Sequence, residues 1–288
     1  MPQWVIDNQR KREEFERNSD KRPPADLRRA ENEARSTARL PRDPEPKLSA
    51  EDRRKLKALR APNPIDLETY RDFLKQDGTG IFRLFPEFGC QPTKGVIKVD
   101  GDCANQVEGG SSHAFRGGNS PDLFFSKQVL GSTGFFSQNL MASFGDVSLE
   151  DLSAKSRELK FFAAFLPGRT ASEAKAQSVE LTKGIEHEGI RYSRSVKPLL
   201  NTTFALRIIA YRNGNDINRR IMEAGRTGKT PPYVFLQLVS DKRIDLLVAF
   251  RIIREDEDGS VSILWKEISR QNAPTIKFAD NEEMTDLQ

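Results

Sequence analysis

The sequence predicts a mostly β, α+β fold: a β-sandwich or strongly curved antiparallel sheet with one or two packed helices, preceded by a charged helical arm. Three observations predict it. Beyond Gly80, apolar residues alternate with period two in about ten short runs separated by turn residues. Two segments, opening at Asn63 and at Thr170, carry helix start and stop signals. Charge and glycine are also divided unevenly. Residues 1–63 hold 17 of the 46 Lys and Arg and 12 of the 42 Asp and Glu, and all 19 glycines fall at or after Gly78. A net-basic, Gly-free, aromatic-poor arm therefore precedes a nearly neutral body. The expected boundaries are residues 1–62 for the arm, 63–279 for the body and 280–288 for an acidic tail.

The arm reads as helical pieces separated by prolines. Asp7–Ser19 is charge-dense with little to bury, and Lys21-Arg22-Pro23-Pro24 stops any helix there. Ala25–Leu40 has a thin apolar stripe of Leu27, Ala30, Ala34 and Ala38. Ser49-Ala-Glu-Asp52 reads as a capping box opening a short basic helix to Arg60, with Leu56 and Leu59 its large apolar residues. Such helices need a packed face to form. The arm is thus either solvated or ordered by a partner or a second copy.

The body opens at Asn63, a fitting N-cap, followed by Pro64 in the first turn and Asp66 near the positive helix end. Leu67, Tyr70, Phe73 and Leu74 share a face, and Gly78 is placed to end the helix. Strands are expected at Ile81–Phe85, Val96–Val99, Leu123–Leu130, Phe135–Phe144 and Leu159–Leu166. Thr170-Ala-Ser-Glu173 is a second capping box, and Gly184 closes that helix. Ile190–Val196, Thr203–Tyr211, Tyr233–Val239, Ile244–Arg254 and Val261–Ser269 complete the strands, with Asp258-Gly259 as a hairpin turn between the last two. Ile244–Arg254 carries apolar residues on both faces, one of them mixed with charge, so that face is expected to be partly exposed. No βαβ alternation is present, which argues against a nucleotide-binding doubly wound sheet. No run of 18 apolar residues encodes a transmembrane helix.

Several motifs fail on inspection. Gly228-Lys229-Thr230 ends like a phosphate loop, but Glu223 stands where the pattern needs glycine, and Pro231-Pro232 follow instead of a helix. His187 lies in a segment without the HExxH spacing, and the sequence implies no metal site and no cofactor. Asp100, Asp102, Asn105 and Glu108 lack EF-hand spacing.

Two constellations remain. Cys90 and Cys103, the only cysteines, flank a short predicted strand and read as a disulfide staple, which implies an oxidising compartment. The Gly-rich stretch with Ser111, Ser112, His113 and Arg116 reads as a loop able to take an anion or ligand. Cys103 and His113 are the alternative: a thiolate–imidazole pair for a Cys/His hydrolase, which a closed disulfide would abolish. Arg191, Arg194, Lys197, Arg207, Arg212, Arg219, Arg220 and Arg226 bias the centre of the body toward positive charge. With the arm, that bias suggests nucleic acid or an anionic surface as a further alternative.

At Gly80-Ile-Phe-Arg-Leu-Phe85, Val99-Asp-Gly-Asp-Cys103-Ala-Asn, Asn201-Thr-Thr-Phe-Ala-Leu-Arg207 and Asp258-Gly-Ser-Val-Ser-Ile-Leu-Trp265-Lys, the chain resembles uncharacterised bacterial proteins of secreted appearance. The resemblance spans about residues 50–270 and implies an extracytoplasmic protein, with no catalytic residues to carry over. Met1–Ile6 does not read as a signal peptide, so a cytoplasmic location is expected if Met1 is the true start. The reading that absorbs most of these features is a non-enzymatic binding or structural protein. Its arm and body would dock a protein partner or another copy.

Overall fold

The structure is a computed structural model that describes residues 49–86, 110–117, 121–126, 128–134, 136–212, 219, 242–279 and 287. The arm before Ser49, Cys90, Cys103, the expected strands Val96–Val99 and Tyr233–Val239, the Gly228-Lys229-Thr230 motif and most of the tail lie outside the described residues.

The fold is α+β and mostly β, built on antiparallel sheets. Helix α1 spans Ala50–Arg60, and Ser49 Oγ accepts from the Asp52 amide at 3.0 Å. Leu56 is its one fully buried side chain. Helix α2 (Pro64–Thr69) is shorter than the Asn63–Gly78 helix expected from sequence. Asn63 caps it as expected, but a separate 3-10 turn follows at Phe73–Lys75. The Thr79 hydroxyl donates to the Phe73 and Gln76 carbonyls and holds the chain in that turn. Phe73 is buried, Tyr70 and Leu74 pack beside it, and Leu67 points to solvent. Asp66 is buried because Arg254 clasps it through two hydrogen bonds of 2.8 and 2.6 Å.

The main sheet has the order β1-β11-β10-β9-β5, formed by β1 (Thr79–Leu84), β5 (Ser137–Ser143), β9 (Thr203–Ala210), β10 (Ile244–Glu255) and β11 (Val261–Asn272). A smaller sheet of order β2-β3-β4-β8 comprises β2 (Ser112–His113), β3 (Leu123–Ser126), β4 (Val129–Ser132) and β8 (Ser195–Val196). β6 (Ile185–His187) and β7 (Ile190–Tyr192) form a hairpin of their own. The two sheets pack face to face over Leu123, Phe125, Leu130, Leu206, Val248 and Phe250. They are tied at both edges. Met141 and Ser193 exchange backbone hydrogen bonds of 2.7 and 2.9 Å, and Phe85 N–H donates to the Gly110 carbonyl at 3.0 Å.

Two helices cover the opposite face of the main sheet. Helix α3 (Lys160–Ala164) buries Phe161 and Phe162. Helix α4 (Ala171–Lys183) buries Ala171, Ala174 and Leu181, with both halves of the Thr170/Glu173 capping box formed. β9 and β10 are thus sandwiched between the small sheet and the helices. That is why β10 is apolar on both faces: on the mixed face Leu247 packs under the helices and Ala249 under Phe73, Leu149 and Leu152, while Arg251 and Ile253 stay half-buried, as expected.

Two further expectations are corrected. Leu159–Leu166 forms a 3-10 turn and α3, not a strand. A short continuous apolar run has no periodicity to separate a strand from a buried helical turn. Leu123–Leu130 is two strands, because the chain reverses at Gln128 (φ 134) and pairs Phe124 with Gly131. The Phe124 ring lies over Gly131 so closely that a Cβ there would stand 2.2 Å from it.

Candidate functional site

The Ser111–Arg116 stretch enters the small sheet through β2. The Ser111 carbonyl accepts from the Phe125 amide and the His113 carbonyl from the Asp122 amide, each at 2.8 Å. Backbone pairing therefore fixes the serines and the histidine in a strand, and Ser111, Ser112 and His113 are all half-buried.

His113 stacks flat on Phe82 of β1, with centroids 3.7 Å apart and planes 3° from parallel. Phe115 meets the imidazole edge-on at 4.7 Å, and Trp265 lies 6.3 Å away. Burial among these rings pushes the imidazole pKa down to about 4, so the ring is neutral at pH 7. These rings fill the seam between β1 and β2, where the edges of the two sheets meet. Cys103, the other half of the hydrolase reading, lies outside the described residues.

Arg116 is 2% exposed. Its Nε donates to Asp122 Oδ1 at 2.5 Å, its backbone N–H to Asp122 Oδ2 at 2.9 Å, and Nη1 to the Lys242 carbonyl at 2.8 Å. Asp122 is fully buried. The guanidinium is therefore engaged in closing its own loop. Arg207 is likewise internal: it makes a two-pronged pair with Asp245 at 2.8 and 2.6 Å, and Nη1 reaches the Phe162 and Phe165 carbonyls at the end of α3. Arg191 pairs with Glu186. Of the basic residues at the centre of the body, Arg207 thus has no surface role.

A site the sequence did not disclose lies where α1 meets the turn between β10 and β11. Arg83, on β1, sits at its centre. Its Nη1 donates to the Leu59 carbonyl at 3.1 Å, Nε to Ser260 Oγ at 2.8 Å, and Nη2 reaches Asp258 and Asp256, each at 2.9 Å. Burial pushes the Asp258 carboxyl up, but the hydrogen bonds from Ser260, joined by Arg83, outweigh it and hold the group below its usual range. A notch of about 810 Å³ opens beside it, bordered by Ala58, Pro62, Pro64 and the acidic turn. The turn was legible as Asp258-Gly259. Arg83 lies some 175 positions earlier in the chain, and no local pattern links the two. A second hollow, a groove of about 560 Å³, is lined by Phe161 of α3, Phe165 and Leu166 just after it, Ala176 and Val179 of α4, and Ile185 of β6.

No group of three or more His, Cys, Asp or Glu side chains among the described residues is placed to hold a metal ion. No helix among them is long and apolar enough to cross a membrane. Comparison with protein-family models, curated proteins and solved structures finds no match to this chain.

Proposed function

We propose that this is a non-enzymatic, extracytoplasmic binding or structural protein, in which the β-rich body is a rigid platform and the basic arm docks a protein partner. The observation that carries the reading is the seating of α1. Leu56 is buried and Arg83, on β1 of the body, holds the Leu59 carbonyl, while Arg53, Arg54 and Lys57 remain exposed. The described end of the arm, α1, is therefore fixed to the body. A rooted arm keeps its charges near one place on the body, which raises their effective concentration for an acidic partner.

The rigidity of the platform has a physical source. Arg207–Asp245 and Arg116–Asp122 are desolvated pairs with further hydrogen bonds to backbone carbonyls, an arrangement that tolerates few alternative packings. The extracytoplasmic part rests on the resemblance and on the expected pairing of Cys90 with Cys103. Alkylation of the native protein with and without reductant, read by intact mass, checks it: a Cys90–Cys103 bond is expected, and two free thiols count against it.

The arm's part is tested by co-purification from cells expressing either the full chain or a chain beginning at Ser49. A partner identified by mass spectrometry is expected with the full chain and lost from the shortened one. Equal recovery with both would remove the arm from the function.

A further inference from the structure

One buried residue of the main sheet lacks hydrogen bonds on both its side chain and its backbone. Asn139, on β5, is 2% exposed, and neither Oδ1 nor Nδ2 meets a partner among the described residues. Its peptide groups are in the same position. Tyr211 N–H donates to the Phe136 carbonyl on the β9 side, and Met141 exchanges hydrogen bonds with Ser193 on the other. That fixes the parity of the strand: Gln138 and Leu140 turn their N–H and C=O toward β9, and Asn139 and Met141 turn theirs outward. Carrying the Met141–Ser193 pairing on by two residues would set Ser195 opposite Asn139. The chain leaves before that. The Arg194 carbonyl takes the Ser132 N–H at 3.0 Å, and Ser195 and Val196 pair with Gly131 and Leu130 of the small sheet. The outward N–H and C=O of Asn139 thus meet no partner among the described residues. Its side chain shares a face with Met141 and stands opposite Ile208, and both of those pack between the two sheets. Asn139 therefore lies in the fork where the departing strand carries one sheet away from the other.

Buried amide and peptide groups in native proteins are met by protein or by ordered water, because leaving them unmet forfeits their hydration. We propose that the fork at Asn139 is an internal water site, whose water bridges the side chain and backbone of Asn139 to the strand that departs for the small sheet. The chemistry selects water. Asn139 offers both accepting oxygens, Oδ1 and the backbone carbonyl, and donating N–H groups, on Nδ2 and the backbone. A cation would serve the oxygens alone, and an anion the N–H groups alone. No group of three or more His, Cys, Asp or Glu among the described residues is placed to hold a metal. Water donates and accepts, and inside a protein it makes about three hydrogen bonds. Further partners stand on the same face. The Ser137 hydroxyl, two residues back on β5, donates to the Gly134 carbonyl at 2.8 Å. The Ser193 hydroxyl, opposite Met141, donates to the Ser195 carbonyl at 2.5 Å. Each hydroxyl oxygen keeps the capacity to accept. The site would join the two sheets at β5, the edge of the main sheet opposite β1. It does not involve the arm and stands apart from the proposed docking role.

The test joins two measurements on the full chain. Nuclear magnetic resonance of the wild type is expected to show cross-relaxation between long-lived water and both the backbone N–H and the side-chain NH2 of Asn139. Urea unfolding of Asn139→Leu is the second. Leucine keeps the size of the side chain and loses its amide. With water in the fork, the substitution strands that water and the backbone groups, and the ratio of folded to unfolded chain is expected to fall about tenfold. With a dry fork, the same substitution removes unmet polar groups from the interior, and the ratio would rise. A variant as stable as the wild type, or more stable, would overturn the proposal. So would Asn139 amides that show no contact with water, whatever the stability of the variant, or a bound molecule other than water at the fork. If Asn139→Leu fails to fold, the wild-type spectra decide.

Discussion

The guanidinium of Arg83, on the edge strand of the main sheet, donates to the carbonyl of Leu59 at the end of α1 at 3.1 Å. The same side chain holds Asp256, Asp258 and Ser260 at the β10–β11 turn. One residue therefore ties the end of α1 to the hairpin of the two 12-residue strands β10 and β11. The carbonyl it takes is among the last of the helix, which lack partners within it.

Arg83→Ala is expected to loosen α1 more than it unfolds the body. Leu56 alone would then hold a helix too short to persist unaided. Tryptic cleavage between Arg53 and Arg60 should accelerate about tenfold, the population of a locally opened state rising by roughly 1.4 kcal/mol in effect. Global unfolding in urea should shift by less than that. Limited proteolysis followed by mass spectrometry, beside urea melts, separates the two. Equal sensitivity of helix and body would show that Arg83 serves the hairpin alone.

The Arg207–Asp245 pair lies between the main sheet and α3, with Gln271 donating to Asp245 Oδ2 at 2.8 Å. Both side chains are almost wholly buried, at 8% and 4% exposure. Removing one partner leaves a buried charge uncompensated, so Arg207→Met and Asp245→Leu should each destabilise by about 3–5 kcal/mol. The double substitution should recover much of that loss, because the desolvation penalty of both charges disappears with them. Equilibrium unfolding of the four proteins gives the coupling directly. Additive losses would mean that the α3 carbonyls, not the pair, set the cost.

Gly131→Ala should displace the Phe124 ring, which sits over the glycine with its Cζ only 2.2 Å from the position of an added Cβ. The expected cost is about 1–3 kcal/mol, the range for overpacking. Phe124 is half-buried and can swing outward, so Phe124→Leu together with Gly131→Ala should cost less than the sum of the two. Thermal melts of the set check this, and strict additivity would argue against contact between them.

The features that were legible in the sequence are local ones. The Thr170/Glu173 box, the Asn63 cap and the Asp258-Gly259 turn each depend on residues within a few positions, and all three form. Alternation located β9, β10 and β11 because each strand is long enough for the period to repeat. It failed at Leu159–Leu166, where packing against the sheet, not pattern, chooses the helix. It also missed the reversal at Gln128, a non-glycine residue at positive φ that carries no turn signature. Among the candidate site residues, the sequence grouped Ser111, Ser112, His113 and Arg116 by proximity along the chain alone. It could not show that Asp122 engages Arg116 or that Phe82 covers His113, because those partners come from other elements.

His113 gives the last prediction. Its imidazole is held at a pKa of about 4 by burial between Phe82 and Phe115, against an ordinary value of 6.5. The unfolded chain therefore binds a proton on His113 that the folded chain resists. Its contribution to stability is complete above about pH 6.5, falls as the pH drops toward 4, and changes little below that. The full loss across this window is on the order of 3 kcal/mol, from 1.4 kcal/mol per pH unit of separation. His113→Phe keeps a ring on Phe82 and removes the titration, so its stability should fall less between pH 7 and pH 4. Carboxylates titrate in the lower part of the same window in both proteins, and the difference between them isolates the histidine. Urea unfolding at pH 7, 5.5 and 4 measures it. Parallel curves for the two proteins would show that His113 titrates normally and that the seam between the sheets is open to water.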